Sequence, residues 1–473
     1  MVGMMNPRTW IGRILVVGVL GATAAGAVAP TASNPSTVLA ADSSLGAGGE
    51  FHPLTPTRIF DTRGAGIADT APLGRKPTSA AGGNFDVGIL GRGGIPADPA
   101  DVLAVVLNVT VSGPSLGGYL AIAPTGSNAG VSSLVNFDPG ETVPNMAIIG
   151  VGSGGRATVS LFTPAGVGSA DVLIDVFGWI STSSFVDGAD TGARLMPVNP
   201  TRALDTRLSP VPAGWTSGRA VGAMEQVTLP IRGANGIVPP GSDVTGVMVN
   251  ITAVNNLPAS TGTYISATPE RTPAGAEPKT SVTNVSGGQV KANMAVVPLG
   301  GDGSIRLFNR FGSTHLIVDI LGYLQQGMAD TSTTGRVIPL DAPFRAFDTR
   351  QAAFGSQPLG YGSKEPWSFQ AFADSVVLGG QTIGAQSALI GNLTGTGLAP
   401  LAGGSKPTTY LTVYPGVGDP PNSSNINVTV GKSVPNMSLL RYGSAGGDPY
   451  TISAYNYEGT LHYLLDVYAV VLS

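Results

Sequence analysis

Three related octapeptides constrain this chain more than any other feature. Residues 56–63 read Pro-Thr-Arg-Ile-Phe-Asp-Thr-Arg, residues 200–207 read Pro-Thr-Arg-Ala-Leu-Asp-Thr-Arg, and residues 343–350 read Pro-Phe-Arg-Ala-Phe-Asp-Thr-Arg. Their aspartates, Asp61, Asp205 and Asp348, stand 144 and 143 positions apart. A repeat of that length is a domain-sized unit, not a solenoid turn. A unit of about 140 residues buries roughly two-thirds of its unfolded surface, so each copy is large enough to fold alone, and whether the three pack together is left open.

Other motifs follow in the same order in each copy. An apolar strand carries Asn-x-Thr at Asn108, Asn250 and Asn392, with Thr110, Thr252 and Thr394. A strand with an aromatic and then proline follows: Tyr119 and Pro124, Tyr264 and Pro269, Tyr410 and Pro415. Next come Ser-x-x-Asn, ending at Asn136, Asn284 and Asn427, and Asn-Met at Asn145, Asn293 and Asn436. An apolar strand with one internal aspartate closes each copy, at Asp175, Asp319 and Asp466. Short strands separated by Gly and Pro, with no 3.6-residue apolar period, predict an all-β chain. The expectation is three tandem antiparallel β-sandwich-like domains of about 130–140 residues, uneven strand length favouring sandwiches over small closed β-barrels.

Composition agrees. Charged residues are 11% of the chain and apolar residues 42%, which suits a turn-rich β protein and not disorder. A net charge of −4 argues against nucleic acid, whose phosphates need clustered Lys and Arg. No cysteine is present, which removes disulfides, thiolate metal sites and a cysteine nucleophile.

At the N-terminus, Arg8 and Arg13 precede an apolar run, 14–29, followed by small residues to Ala41. This is the layout of a secretory signal peptide, residues 1–40, with cleavage between Ala29 and Ala41 and Ala40 favoured. The expected division continues with a flexible lead-in at 41–50, repeats at 51–181, 194–324 and 336–473, and linkers at 182–193 and 325–335. No segment of the mature chain is expected to span a membrane.

The ordered motifs resemble a repeat module of secreted proteins from high-GC Gram-positive bacteria. That family shows an Arg-Leu-Leu-Asp-Thr-Arg opening, an Asn-Val-Thr strand and a closing Val-x-Asp-Val-x-Gly-Tyr; residues 318–323 here read Val-Asp-Ile-Leu-Gly-Tyr. The resemblance covers about 50–473. It departs at Trp179 and Ala469, where the family has Tyr and Gly. It implies an exported chain, often beside hydrolase domains, with no activity of its own assigned.

Two groups of polar residues are candidates for a role. Asp175 lies in a strand that reads as buried on both faces, so it needs a cationic partner. The expected partners are Arg58 or Arg63, with Asp61 alongside; Arg202, Asp205, Arg207 and Asp319 repeat the set, as do Arg345, Asp348, Arg350 and Asp466. An acid/base pair of Asp61 and Asp175 is the hydrolase alternative, disfavoured because arginine lowers a carboxylate pKa. The second group is a possible sugar-binding face: Asn108, Tyr119, Asn136 and Asn145, with Asn250, Tyr264, Asn284, Asn293, Asn392, Tyr410, Asn427 and Asn436. Asparagine also satisfies backbone groups at bulges and corners, the structural alternative. The histidines, His52, His315 and His462, are too scattered for a metal site, so no metal or cofactor is expected.

The sequence thus points to a secreted, non-catalytic, surface-associated structural or adhesive protein. A carbohydrate- or cell-wall-binding array is the first alternative, and surface proteins are possible partners. A glycoside hydrolase-like enzyme is the second alternative.

Overall fold

The computed structural model describes residues 48–473 apart from 65–72, 128–131, 165, 183–184, 186–191, 256–261, 330, 376, 379–380, 383–384 and 402–406. The expected signal peptide, most of the lead-in and most of the first linker lie outside the described residues. Among those described, no helix is long and apolar enough to cross a membrane.

The chain is all-β, with two main antiparallel sheets per repeat and, in repeat three, a further two-stranded sheet of Val377–Leu378 and Gln381–Thr382. The first sheet joins four strands in the order opening, closing, Asn-x-Thr, Asn-Met. In repeat one these are Phe51–Asp61, Gly168–Ser181, Val102–Ser112 and Thr142–Gly150. In repeat two they are Arg194–Asp205, His315–Gln325, Val244–Val254 and Val290–Pro298; in repeat three, Val337–Asp348, Thr460–Leu472, Gln386–Ala399 and Val434–Arg441. The second sheet of repeat one orders Gly83–Gly88, Arg156–Phe162, Gly118–Pro124 and Val135–Phe137, and the other repeats follow suit. Repeat three adds a short helix, Gln370–Ser375, which no apolar period announced.

The Asn-x-Thr strands explain why the repeats are not three separate sandwiches. Residues 102–111 are buried without a break. A strand with only one covered face would alternate; a continuous run means both faces are covered. One face meets the second sheet of the same repeat, and the other meets a neighbouring repeat. The buried apolar residues of repeats one and two form a single cluster, which also takes in Ile390, Met437, Leu439 and Tyr468 of repeat three. The rest of repeat three has its own cluster. The expectation of three tandem sandwich-like domains is therefore corrected: the repeats, whose packing together the sequence leaves open, share cores because the apolar strands are sandwiched between them.

The repeats close into a ring. The three Asn-Met strands contact one another at its centre, with Met146, Met294 and Met437 fully buried. The repeat beginnings also interlock. Gly49 and Val337 exchange backbone hydrogen bonds of 2.9 and 3.0 Å, Phe51 and Ala193 bonds of 2.7 and 2.8 Å, and Leu195 N–H donates to Gly335 O at 2.9 Å. A Cβ on Gly49 would lie 1.7 Å from the Ser181 carbonyl oxygen, so only glycine fits this closure. Arg194, 1% exposed, reinforces it by donating through Nε to Glu50 Oε1 at 2.8 Å.

Candidate ligand clefts at the repeat junctions

In an antiparallel pair, directly opposed residues share a face. Arg58 opposes Asp175, Asp175 opposes Asn108, and Asn108 opposes Met146. These four residues therefore make one row across the first sheet. Arg202, Asp319, Asn250 and Met294 repeat it, as do Arg345, Asp466, Asn392 and Met437. Each row faces the next repeat.

The ionic end of the row is tightly bonded. Arg58 donates from Nε to Asp175 Oδ1 at 2.7 Å and from Nη2 to Asp175 Oδ2 at 3.1 Å. Its Nη1 reaches Asp61 Oδ2 at 3.2 Å, and Arg63 grips Asp61 through Nε at 2.9 Å and Nη2 at 2.8 Å. Arg202 binds Asp319 Oδ1 at 2.5 Å and Asp205 at 3.2 Å, with Arg207 on Asp205 at 2.7 Å. Arg345 joins Asp466 to Asp348, and Arg350 holds Asp348 at 2.6 Å. Asp61 and Asp175 are both fully buried, with Arg58 between them. That arrangement leaves no open cleft between two carboxylates, which a glycosidase requires.

Burial pushes the carboxylates of Asp61, Asp205 and Asp348 up, but the bonds and charge of Arg63, Arg207 and Arg350 more than offset it and leave all three below the usual range. Deeper burial wins at Asp175, which is raised despite Arg58, and at Asp319, which is pushed up to about 6 despite Arg202. The threonine of each octapeptide serves the closing strand: Thr62 Oγ1 donates to Asp171 Oδ1 at 2.7 Å, and Thr206 and Thr349 bond His315 and His462 Nδ1 at 3.0 and 3.1 Å.

The asparagines part company here. Asn108, Asn250 and Asn392 are buried and donate through Nδ2 to the carbonyls of Ser281, Ser424 and Ser133, each in the next repeat around the ring, at 2.6, 2.6 and 2.8 Å. Asn145, Asn293 and Asn436 complete the joints by donating to the Oδ1 of Asn392, Asn108 and Asn250 at 2.9, 3.0 and 2.8 Å. At the third joint a buried aspartate joins in: Ser132 Oγ donates to Asp466 Oδ2 at 3.0 Å. These six asparagines do not form a sugar-binding face, because they are buried at the joints, their amides bonded to backbone carbonyls and to one another.

The remaining members, Tyr119, Asn136, Tyr264, Asn284, Tyr410 and Asn427, stay partly exposed. Tyr264 and Asn284 of repeat two line a cleft of about 710 Å³ with Arg58, Arg63, Thr110, Ser112 and Thr142 of repeat one. The floor carries Thr110, 2% exposed, whose hydroxyl has no partner; Thr252 and Thr394 hold the same place and are equally unpartnered. Glu277, Pro278 and Lys279 form part of the wall, and Tyr264 Oη donates to Pro278 O at 3.1 Å. The sequence signalled that wall by length alone. Tyr264 and Ser281 are 17 positions apart, whereas Tyr119 and Ser133, and Tyr410 and Ser424, are 14 apart. Among the described residues no group of three or more His, Asp or Glu is placed to hold a metal.

No family model matches the chain, and no curated protein matches it. Among solved structures it is similar to the triple jelly roll and turret assembly of an archaeal virus, at TM-score 0.17 and 10% identity, covering 90% of this chain and 91% of that one. It is similar to the N-terminal tandem CBM22 domains of Paenibacillus barcinonensis Xyn10C, at TM-score 0.17 and 11% identity, covering 58% of this chain and 99% of that one. It is also similar to Sulfolobus turreted icosahedral virus, at TM-score 0.17 and 9% identity, covering 89% and 92%.

Proposed function

We propose that this chain is an exported, non-catalytic protein of the secreted repeat-module kind, whose ring binds polysaccharide at the cleft between repeats one and two. The cleft itself carries the reading. An aromatic wall, an amide, several hydroxyls and guanidinium donors converge on a space of about 710 Å³, and a buried hydroxyl at its floor lacks a partner. Saccharide hydroxyls donate and accept, so they can serve all of these groups at once. The arginines and aspartates beneath act as a rigid base, since each carboxylate is committed to a cation.

The second reading is a passive surface scaffold or adhesive ring, favoured by the closure of three repeats into one body. Retention of residues 41–473 on purified cell wall and immobilised polysaccharides separates the two. Saturable retention on one polymer, weakened at least about tenfold (1.4 kcal/mol) by Tyr264→Ala with Asn284→Ala, is expected. No retention on any surface would remove the binding reading and leave the scaffold.

A further inference from the structure

Repeats two and three meet as repeats one and two do. Asn250 reaches Ser424 O as Asn108 reaches Ser281 O, both at 2.6 Å. The positive charge of Arg202 is felt at the Tyr410 phenol, as that of Arg58 is at Tyr264, each opposing the rise that burial causes. The opening strand of repeat two, Arg194–Asp205, packs against the Thr408–Pro415 strand of repeat three, which sets the strand of Tyr410 beside the strand of Arg202 across the second junction.

The wall differs. In repeat three, Tyr457 stacks on Tyr410 with centroids 4.6 Å apart and planes 14° from parallel, and Tyr455 lies 6.3 Å from Tyr410. The matching places hold Ser160 and Phe162 in repeat one, and Phe308 and Arg310 in repeat two. Repeat three alone gathers three tyrosines there, and Tyr457 is 36% exposed. A tyrosine ring offers a flat apolar face and a polar tip, which suits the C–H face and hydroxyls of a pyranose.

Two orphaned polar atoms mark the same junction. Asn427 opposes Tyr410 across the strand pair, and its Nδ2 is buried without a partner. Thr252, in the register place of the cleft-lining Thr110, is 1% exposed with an unpartnered hydroxyl. Native proteins pair nearly all such groups, so each orphan needs an explanation. Arg207, whose side chain is 43% exposed, holds the place of Arg63 at the mouth.

We propose that the junction of repeats two and three is a second saccharide site, where a neutral pyranose stacks on the Tyr410–Tyr457 platform while its hydroxyls accept from Asn427 Nδ2 and Arg207 and meet Thr252 Oγ1. The proposal rests on the reading of the first junction as a saccharide site. It gives the ring two linked sites of unlike walls, one lined by the Glu277–Lys279 insert and one by tyrosines. A polymer spanning both gains avidity where its length matches the gap.

Calorimetric titration of residues 41–473 with cellohexaose, xylohexaose, mannohexaose and chitohexaose tests it. The binding member is expected to show two equivalents per chain. Tyr457→Ala with Asn427→Ala should remove one, and Tyr264→Ala with Asn284→Ala should remove the other. Tyr457→Phe keeps the stacking face and should hold affinity within about twofold; equal loss in the Phe and Ala variants overturns the stacking site. A single equivalent that only the Tyr264 and Asn284 variant abolishes overturns this proposal and leaves the first site standing. No heat with any of the four sugars overturns both. Unchanged melting of each variant keeps a loss of binding distinct from a loss of fold.

Discussion

The inner rows and the outer rims of the junctions use the same residue types to opposite ends. Inside, Asn108, Asn250 and Asn392 are sealed against backbone of the next repeat. At the rim, Asn284 donates through Nδ2 to Ser281 Oγ of its own repeat at 3.1 Å and lines the cleft. The difference teaches that depth at the junction, not residue identity, divides sealed joint from open cleft. It is sharpest in the ionic set. Arg58→Ala leaves Asp175 buried without its cation, at an expected cost of about 3–5 kcal/mol. Because the repeats share a core, denaturation of the full chain is expected to remain a single transition, monitored by calorimetry. Three resolved transitions, or a loss under about 1 kcal/mol, would break the comparison.

The asparagine joints come next. Asn250→Ala removes the donor to Ser424 O and the acceptor of Asn436 Nδ2. Ser424 O loses its donor, while Asn436 Nδ2 keeps Asn425 O at 2.7 Å, so a loss of about 1–3 kcal/mol is expected in urea melts. An Asn250→Ala variant as stable as the parent would mean that water reaches the joint.

The octapeptide pairing was legible because an aspartate in a buried apolar strand has few solutions, and arginines recur at a fixed distance. The fold class was legible from strand spacing and turn residues. The ring was not. Continuous apolar runs such as 102–111 say that both faces are covered, but not whether the cover belongs to the same repeat. That is set by closure through Gly49, Ala193 and Gly335, three small residues with no motif of their own. The asparagines were ambiguous for a chemical reason: an amide serves a backbone carbonyl and a sugar hydroxyl equally well. Only the three extra residues before Ser281 distinguished the first cleft, and they show as a difference in length.

Acidity separates two kinds of aspartate. Asp61, Asp205 and Asp348 have lowered pKa values, so the unfolded chain takes up protons first. Their stabilisation is present above about pH 4 and is lost as pH falls through their folded pKa values. Asp319, raised to about 6 by burial against the pull of Arg202, has the opposite sign. Its contribution is complete below about pH 4 and is lost as pH rises through about 6. Urea midpoints from pH 3 to 8 should therefore peak between the two windows, and Asp319→Asn should flatten the upper limb. A midpoint that climbs steadily to pH 8 would assign Asp319 a normal carboxylate.

The smallest stability effect gives the sharpest form of the comparison. Asn284 and Asn293 lie nine positions apart in repeat two. Asn293 is 1% exposed and donates to Val282 O at 2.6 Å and to Asn108 Oδ1 at 3.0 Å in repeat one. Asn284 is half-buried at the cleft. Asn284→Ala should change stability by no more than about 0.5 kcal/mol, as surface substitutions do, while weakening retention on polysaccharide. Asn293→Ala should cost about 1–3 kcal/mol for each acceptor it strands, Asn108 Oδ1 and Val282 O, yet leave retention intact wherever the chain stays folded. Both variants are read by the same two measurements, urea melting and retention. If the two effects fall on the same residue, the line between joint and cleft is drawn in the wrong place, and recognition would extend inward along the row to Asn108.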